Sequence, residues 1–158
     1  MSSRYVAVCG ASEPDPTQRR MAREVGKLLA EAGAVVLCGG LGGVMEAAGE
    51  GASGAGGTVV GLLPGSDRSA GNPYLTLALA TGLGEARNAV LTCAADSVIA
   101  IGRGWGTLSE IALARKRGRE VIALDSWQVA GVPMAVSPEE AVRAALSPQR
   151  RHDPRRGR

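Results

Sequence analysis

The sequence predicts an α/β fold, a three-layer, doubly wound parallel sheet of the Rossmann-like type. Short runs that are apolar throughout alternate with longer segments whose apolar residues recur at helical spacing. The runs that are apolar throughout are typical of strands buried on both faces, which occur where helices cover both sides of a parallel sheet. Glycine is the third observation: 23 of the 158 residues are Gly, and they cluster where apolar runs end. Turns between strands and helices need such residues.

The first strand is predicted at residues 5–9, a continuous apolar run that stops at Gly10. A helix follows at 16–32, because its apolar residues recur every three or four positions. Gly33 ends that helix, since glycine adopts the left-handed conformation found just beyond helix ends. The second strand then occupies residues 34–38.

The next unit begins with the turn at residues 39–43, which contains four glycines. A helix rich in small side chains is predicted at 44–53, where close packing is favoured. The third strand, at 58–63, is stopped by Pro64, and a further strand is predicted at 75–80.

The second half continues the alternation of helices and strands. Helices are predicted at residues 85–95 and 108–117, and strands at residues 97–101 and 120–124. Gly118 ends the second of these helices. The final helix runs from Pro138 to Leu146, because Ser137 suits the N-cap and proline suits the first helical position.

The chain length fits one domain, which we place at residues 1–147 as a nucleotide-binding unit. Residues 148–158 are predicted to be a basic, flexible extension. The formal net charge is +3, but residues 150–158 alone contribute +4 and leave −1 for the rest. The fold therefore has no basic face for nucleic acid, and binding of nucleic acid is not expected.

Cysteine usage and hydropathy indicate a cytoplasmic protein. Cys9, Cys38 and Cys93 have no metal-like spacing and are an odd number, so neither a zinc site nor a disulfide framework is predicted. No apolar run approaches the roughly 18–20 residues of a membrane span. The amino terminus leads straight into a strand without the layout of a signal peptide.

Three glycine-bearing turns are expected to converge at the carboxyl edge of the sheet, where ligands of such folds bind. Helix starts there expose unpaired N–H groups that suit a phosphate. The residues predicted to bind phosphate or nucleotide in these turns are Gly10, Ser12, Gly40, Gly42, Gly43, Gly104, Gly106 and Thr107. Each turn alone is as well explained by an ordinary strand–helix connection, and only their combination favours a phosphorylated ligand.

Glu110 and Arg87 are the candidate catalytic residues. With Thr107 as N-cap, Glu110 falls at the third helical position, which makes a T-x-x-E capping box. Glu110 can therefore cap the amino terminus of its own helix, or its carboxyl group can face the ligand. Arg87 begins the preceding helix, where a cation opposes the helix dipole, so an anionic partner is favoured over a plain surface position.

The ordered motifs CGAS, CGGLGGVMEAAGEGA, Arg87-Asn88 and GWGTLSEIALA resemble the LOG-like proteins, labelled lysine decarboxylase-like, of the SLOG Rossmannoid superfamily. LOG enzymes carry P-G-G-x-G-T-x-x-E, and this chain has Gly102 and Arg103 in place of the proline and the first glycine. Asn88 stands where those enzymes usually have lysine. These departures indicate a sister branch that includes proteins resembling molybdenum cofactor carriers.

The resemblance implies two activities. As a nucleoside 5′-monophosphate phosphoribohydrolase, the protein would hold the phosphate at Gly104, Gly106 and Thr107, with Asn88 beside it. Glu110 would act at the ribose, and Arg87 would stabilise charge near the sugar or base. Alternatively, the protein is a non-catalytic carrier or sensor of molybdenum cofactor or a nucleotide, with no required cofactor or metal of its own.

Other implications of the resemblance are narrower. The resemblance implies a homodimer or homotetramer. The small, apolar side chains of residues 44–53 and 85–95 make these two helices the candidate self-association surfaces. Lysine decarboxylation is not expected, because Lys27 and Lys116, on solvated helix faces, do not suit a pyridoxal Schiff base. DNA binding, as in related DNA-uptake factors, would depend on the basic extension alone.

Overall fold

The computed structural model describes residues 2–148. Its centre is a seven-stranded sheet in the order β4-β3-β2-β1-β5-β6-β7, and every neighbouring pair is parallel. The predicted α/β, doubly wound parallel sheet is thereby confirmed. The basic extension predicted from the sequence lies, from residue 149 onward, outside the described residues.

The strands run as follows: β1 Tyr5–Gly10, β2 Val35–Cys38, β3 Val59–Leu63, β4 Leu77–Ala80, β5 Ser97–Gly102, β6 Glu120–Ser126 and β7 Met134–Ala135. The helices are α1 Pro16–Glu31, α2 Val44–Gly54, α3 Arg87–Ala94, α4 Trp105–Lys116 and α5 Pro138–Leu146. Short 3₁₀ turns occupy Arg68–Ala70 and Gly84–Ala86.

Two apolar layers hold the helices on opposite faces of the sheet. On one face, α1, α2 and α5 bury side chains such as Val25, Ala48 and Ala141 against the strands. On the other, α3 and α4 bury Leu91 and Ile111. Successive side chains of β1 point to opposite faces of the sheet, and each face is covered by one of these layers. This explains why the strand is apolar throughout.

Small residues let α1 and α2 approach closely. A Cβ added at Gly26 would lie 1.9 Å from the Ala48 carbonyl oxygen, and one at Gly51 would lie 1.8 Å from the Arg23 carbonyl oxygen. The small side chains of α2 are therefore used inside the chain. Self-association through residues 44–53 and 85–95, like assembly into a homo-oligomer, stays a prediction.

Within residues 2–148, no helix combines the length and the apolar character that crossing a bilayer would require.

Candidate functional site

A cavity of about 550 Å³ opens at the carboxyl edge of the sheet, between the ends of β1 and β5. The strand order reverses at this pair, and ligands of open parallel sheets bind where it does so. The volume lies within the range of roughly 300–1,000 Å³ that is usual for small-molecule sites. The predicted site residues that line it are Gly10, Ser12, Arg87, Asn88, Gly104, Gly106, Thr107 and Glu110.

Gly40, Gly42 and Gly43 lie in the neighbouring turn but do not line the cavity. Gly43 has a φ of +71°, and a Cβ there would lie 2.4 Å from the Ala11 carbonyl oxygen. The next residue, Val44, donates its N–H to that same oxygen at 3.0 Å. Gly43 therefore lets the turn after β2 pack directly on the turn after β1.

The start of α4 faces the cavity without a side-chain cap. Gly104 is the N-cap, and its carbonyl oxygen accepts the first helical bond from the Leu108 N–H at 3.0 Å. The predicted capping box is wrong, because the helix starts at Trp105 and Glu110 lies at its sixth position. The free N–H groups and the positive end of the helix dipole are thus left for a ligand.

Thr107 lies within this uncapped turn and is only 2% exposed. Its hydroxyl has no hydrogen-bond partner among residues 2–148. Buried polar groups almost always find a partner, and leaving one unpaired costs free energy. The unpaired hydroxyl, at the positive end of a helix and on the wall of a cavity, indicates a place for a ligand atom that accepts or donates a hydrogen bond.

The glycine turn between β5 and α4 is braced by the end of β6. The Ser126 hydroxyl donates to the Gly102 carbonyl oxygen at 2.6 Å, and the Trp127 indole N–H donates to the Gly104 carbonyl oxygen at 3.0 Å. Arg103 donates its Nε–H back to the Ser126 carbonyl oxygen at 3.2 Å. These contacts fix a turn whose glycines would otherwise leave it free to move.

Glu110 reaches the cavity from the second turn of α4, and its carboxyl is largely shielded from water. This burial raises the pKa of Glu110 to about 7, although a hydrogen bond from the Cys9 thiol and the charge of Arg87 act in the opposite direction. The carboxyl group therefore gains its charge close to neutral pH.

Arg87 is held mainly by the protein itself. Its Nη1 donates to the carbonyl oxygens of Gly39 and Leu62, at the ends of β2 and β3, and its Nε donates to Asn88 Oδ1 at 2.7 Å. These carbonyl groups explain why an arginine begins a helix without needing a bound anion. The guanidinium still borders the cavity and contributes positive charge there.

Asn88 is buried between Arg87 and α4. Besides accepting from Arg87, it donates its amide to the Ser109 hydroxyl at 3.4 Å. Its polar groups thus tie the starts of α3 and α4 together.

Sequence reasoning missed the apolar part of the cavity. Leu41 and Met45, from the second turn and α2, line it together with Trp105. Trp105 is 79% exposed. An indole placed between two glycines of a ligand-binding turn was the available signal for it.

Within residues 2–148, no group of three or more His, Cys, Asp or Glu side chains could hold a metal ion. The charged side chains that line the cavity are Arg87, Glu85 and Glu110.

The model of the SLOG cluster4 family matches residues 3–151. An uncharacterized protein of Archaeoglobus fulgidus is 42% identical over 148 residues, which are 93% of this chain and 97% of the relative.

Two solved structures extend the comparison to proteins with a named ligand. The molybdenum cofactor binding protein of Rippkaea orientalis is 36% identical with a TM-score of 0.86, and the match covers 90% of this chain and 95% of that one. The molybdenum cofactor carrier protein of Chlamydomonas reinhardtii is 33% identical with a TM-score of 0.84, and the match covers 90% and 96% of the two chains.

Proposed function

The chain belongs to the SLOG cluster4 family, and we propose that it is a carrier that binds molybdenum cofactor, a phosphorylated pterin, without chemically changing it. The observation that carries the proposal is the buried, unpaired hydroxyl of Thr107 at the uncapped start of α4. The named ligands of the two similar structures support the identity of the cargo.

The cavity fits such a cargo on three counts. The N–H groups at the start of α4, together with Thr107, suit the terminal phosphate. Leu41 and Met45 give apolar surface for the ring system. The molybdenum of this cargo is ligated by sulfur atoms of the pterin itself, so a protein without a metal-binding cluster can still hold it through its organic part.

The same residues give little support to N-glycosidic hydrolysis. The pKa of Glu110, which burial raises to about 7, suits a general acid or base as well as a binding group, so this residue does not separate the two activities. Arg87 is engaged by two backbone carbonyl groups. The departures at Gly102 and Arg103 change the motif that the hydrolases share.

A retention experiment tests the proposal. Molybdenum cofactor released from a heat-denatured molybdoenzyme is incubated anaerobically with the protein, and unbound cofactor is removed by gel filtration. Molybdenum is measured by mass spectrometry, and pterin by the fluorescence of its oxidised form. We expect both to be retained in equal amounts, close to one per chain, and to fall together in the variant Thr107→Val.

Two results would contradict the carrier function. One is the absence of pterin and molybdenum from the protein fraction. The other is release of ribose 5-phosphate from AMP at many turnovers per chain, abolished by Glu110→Gln, which would establish the hydrolase instead.

A further inference from the structure

Trp105 is the largest apolar side chain at the cavity, and it is left in water. It is the first residue of α4, and 79% of it is exposed. Aromatic side chains contribute most to binding when their large surface becomes buried. Trp105 also lines the cavity, so a ligand bound there would cover part of this surface.

The indole of Trp105 is held in position by a second indole. The ring centroids of Trp105 and Trp127 are 5.4 Å apart, and the ring planes are tilted by 34°. Trp127 is itself tied down, because its N–H donates to the carbonyl oxygen of Gly104. A ring fixed in this way loses little conformational freedom when a ligand covers it.

The other apolar contributors to the cavity come from a different part of the chain. Leu41 follows β2, and Met45 lies in the first turn of α2; both are partly buried and line the cavity with Trp105. A thioether and an indole both make favourable contacts with aromatic rings. The cavity thus joins a polar cradle at Thr107 to apolar walls supplied by two elements.

We propose that Trp105 determines specificity by stacking on the flat heteroaromatic ring of a ligand whose phosphate lies at the start of α4. This inference rests on the proposed function and deepens it, because it names the class of cargo: heteroaromatic phosphates of the pterin or purine type, and not phosphorylated sugars. The phosphate binds at the start of α4 in either class of ligand. The indole of Trp105 favours ligands that also carry a heteroaromatic ring.

The test compares two phosphates that differ only by the ring. GMP carries the aminopyrimidinone ring that pterins also contain, and ribose 5-phosphate is the same sugar phosphate without it. Dissociation constants for both are measured by calorimetry at fixed ionic strength with wild type, Trp105→Ala and Trp105→Phe. Val136→Ala is the matched control, because Val136 is an apolar side chain that is 84% exposed on another part of the surface.

We expect Trp105→Ala to weaken GMP binding about 10-fold, which corresponds to about 1.4 kcal/mol, a usual magnitude for stacking on an aromatic side chain. Its affinity for ribose 5-phosphate should stay within about 2-fold of wild type, as should both affinities of Val136→Ala. Trp105→Phe keeps a ring and should recover most of the GMP affinity. Thermal unfolding of the variants confirms that they are folded.

Each other result overturns the inference. Equal losses for both phosphates would make Trp105 a positioning residue of the glycine turn, and unchanged affinity for both would leave it without a role in binding. If wild type binds neither phosphate, or binds both equally well, Trp105 does not select for a ring of this class. The carrier function is decided separately by the retention of molybdenum cofactor, so failure of the stacking role can be told apart from failure of the carrier function.

Discussion

The thiol of Cys9, near the end of β1, lies beside the carboxyl group of Glu110 in the second turn of α4, close enough for each group to shift the pKa of the other. This contact joins the central strand to the helix whose start faces the cavity. Burial, and next the nearby Glu110 charge, raise the pKa of Cys9 well above its ordinary value, so the thiol stays protonated and can donate. The floor of the cavity therefore contains a carboxyl group that is uncharged in mild acid and charged in mild base.

Replacing Glu110 with Gln should remove a pH dependence of stability. The pKa of Glu110 is about 7 in the folded chain against an ordinary 4.5. The native state thus binds the proton more tightly, and wild-type stability should fall as pH rises from about 4.5 to 7 and then level off. Urea unfolding at pH 5 and pH 8 should show Glu110→Gln more stable than wild type at pH 8 by up to about 3 kcal/mol.

The control for this experiment is Glu139→Gln, an exposed glutamate at the start of α5. It should leave the pH dependence of wild type in place. Parallel stability curves for wild type and Glu110→Gln between pH 5 and 8 would contradict the assignment.

Thr107→Val should separate stability from binding. Valine has nearly the shape of threonine but lacks the hydroxyl, which is buried without a partner among residues 2–148. Removing an unpaired buried polar group should leave the unliganded protein as stable as wild type or more stable by about 1 kcal/mol. Affinity for GMP, measured by calorimetry, should nevertheless fall about 10-fold. A destabilised variant with unchanged affinity would show that the hydroxyl serves only the fold.

Arg87→Ala should destabilise the protein by about 3 kcal/mol, because three hydrogen bonds to Gly39, Leu62 and Asn88 are lost at the ends of β2 and β3. Arg87→Lys should recover only part of this, since an ammonium group cannot reproduce the guanidinium fork. Urea denaturation measures both. Arg68→Ala, at an exposed arginine of a 3₁₀ turn, should be neutral.

Gly43→Ala should cost at least about 2–3 kcal/mol, because the backbone there has a positive φ and a Cβ would meet the carbonyl oxygens of Ala11 and Ser12. Gly54→Ala is the control at the other end of α2, the helix that Gly43 precedes, and a Cβ there meets nothing within 4 Å. Alanine favours helix, so Gly54→Ala should match or slightly exceed wild type in thermal stability. Equal melting temperatures for the two variants would show that the two turns can move apart.

Most elements of the fold were predictable because their patterns are local. Apolar runs located β1, β2, β3, β5 and β6, and helical spacing located the helices. The strand β7, Met134–Ala135, was missed because two residues at a sheet edge carry no periodicity. The strand β4 begins at Leu77 and not at residue 75.

The start of α4 was predicted too late for a physical reason. Glycines at 102, 104 and 106 favour a turn on local propensity, which places the predicted N-cap at Thr107. Contacts from Ser126 and Trp127 hold the turn in a shape that lets the helix begin at Trp105. These hydrogen bonds come from residues about twenty positions away in the sequence, so the local pattern around the turn does not predict them.

The candidate site shows the same division. Glycine turns, Thr107 and Glu110 could be chosen from sequence because their residue types suit phosphate or proton chemistry. The contact between Cys9 and Glu110 depends on the packing of α4 against β1, across about a hundred positions of the chain. The raised pKa of Glu110 depends on this burial. The hydrogen bonds of Arg87 to the carbonyl oxygens of Gly39 and Leu62 likewise depend on the tertiary fold, so neither could be predicted from the sequence.

The pairing of β1 with β5 sets Val6 opposite Ser97, across most of the polypeptide. The residues that follow both strands line the cavity, so the cavity is incomplete in a nascent chain until β5, the start of α4 and the bracing indole of Trp127 have all been synthesised. Its shape is thus a property of the nearly finished polypeptide and of no shorter amino-terminal piece.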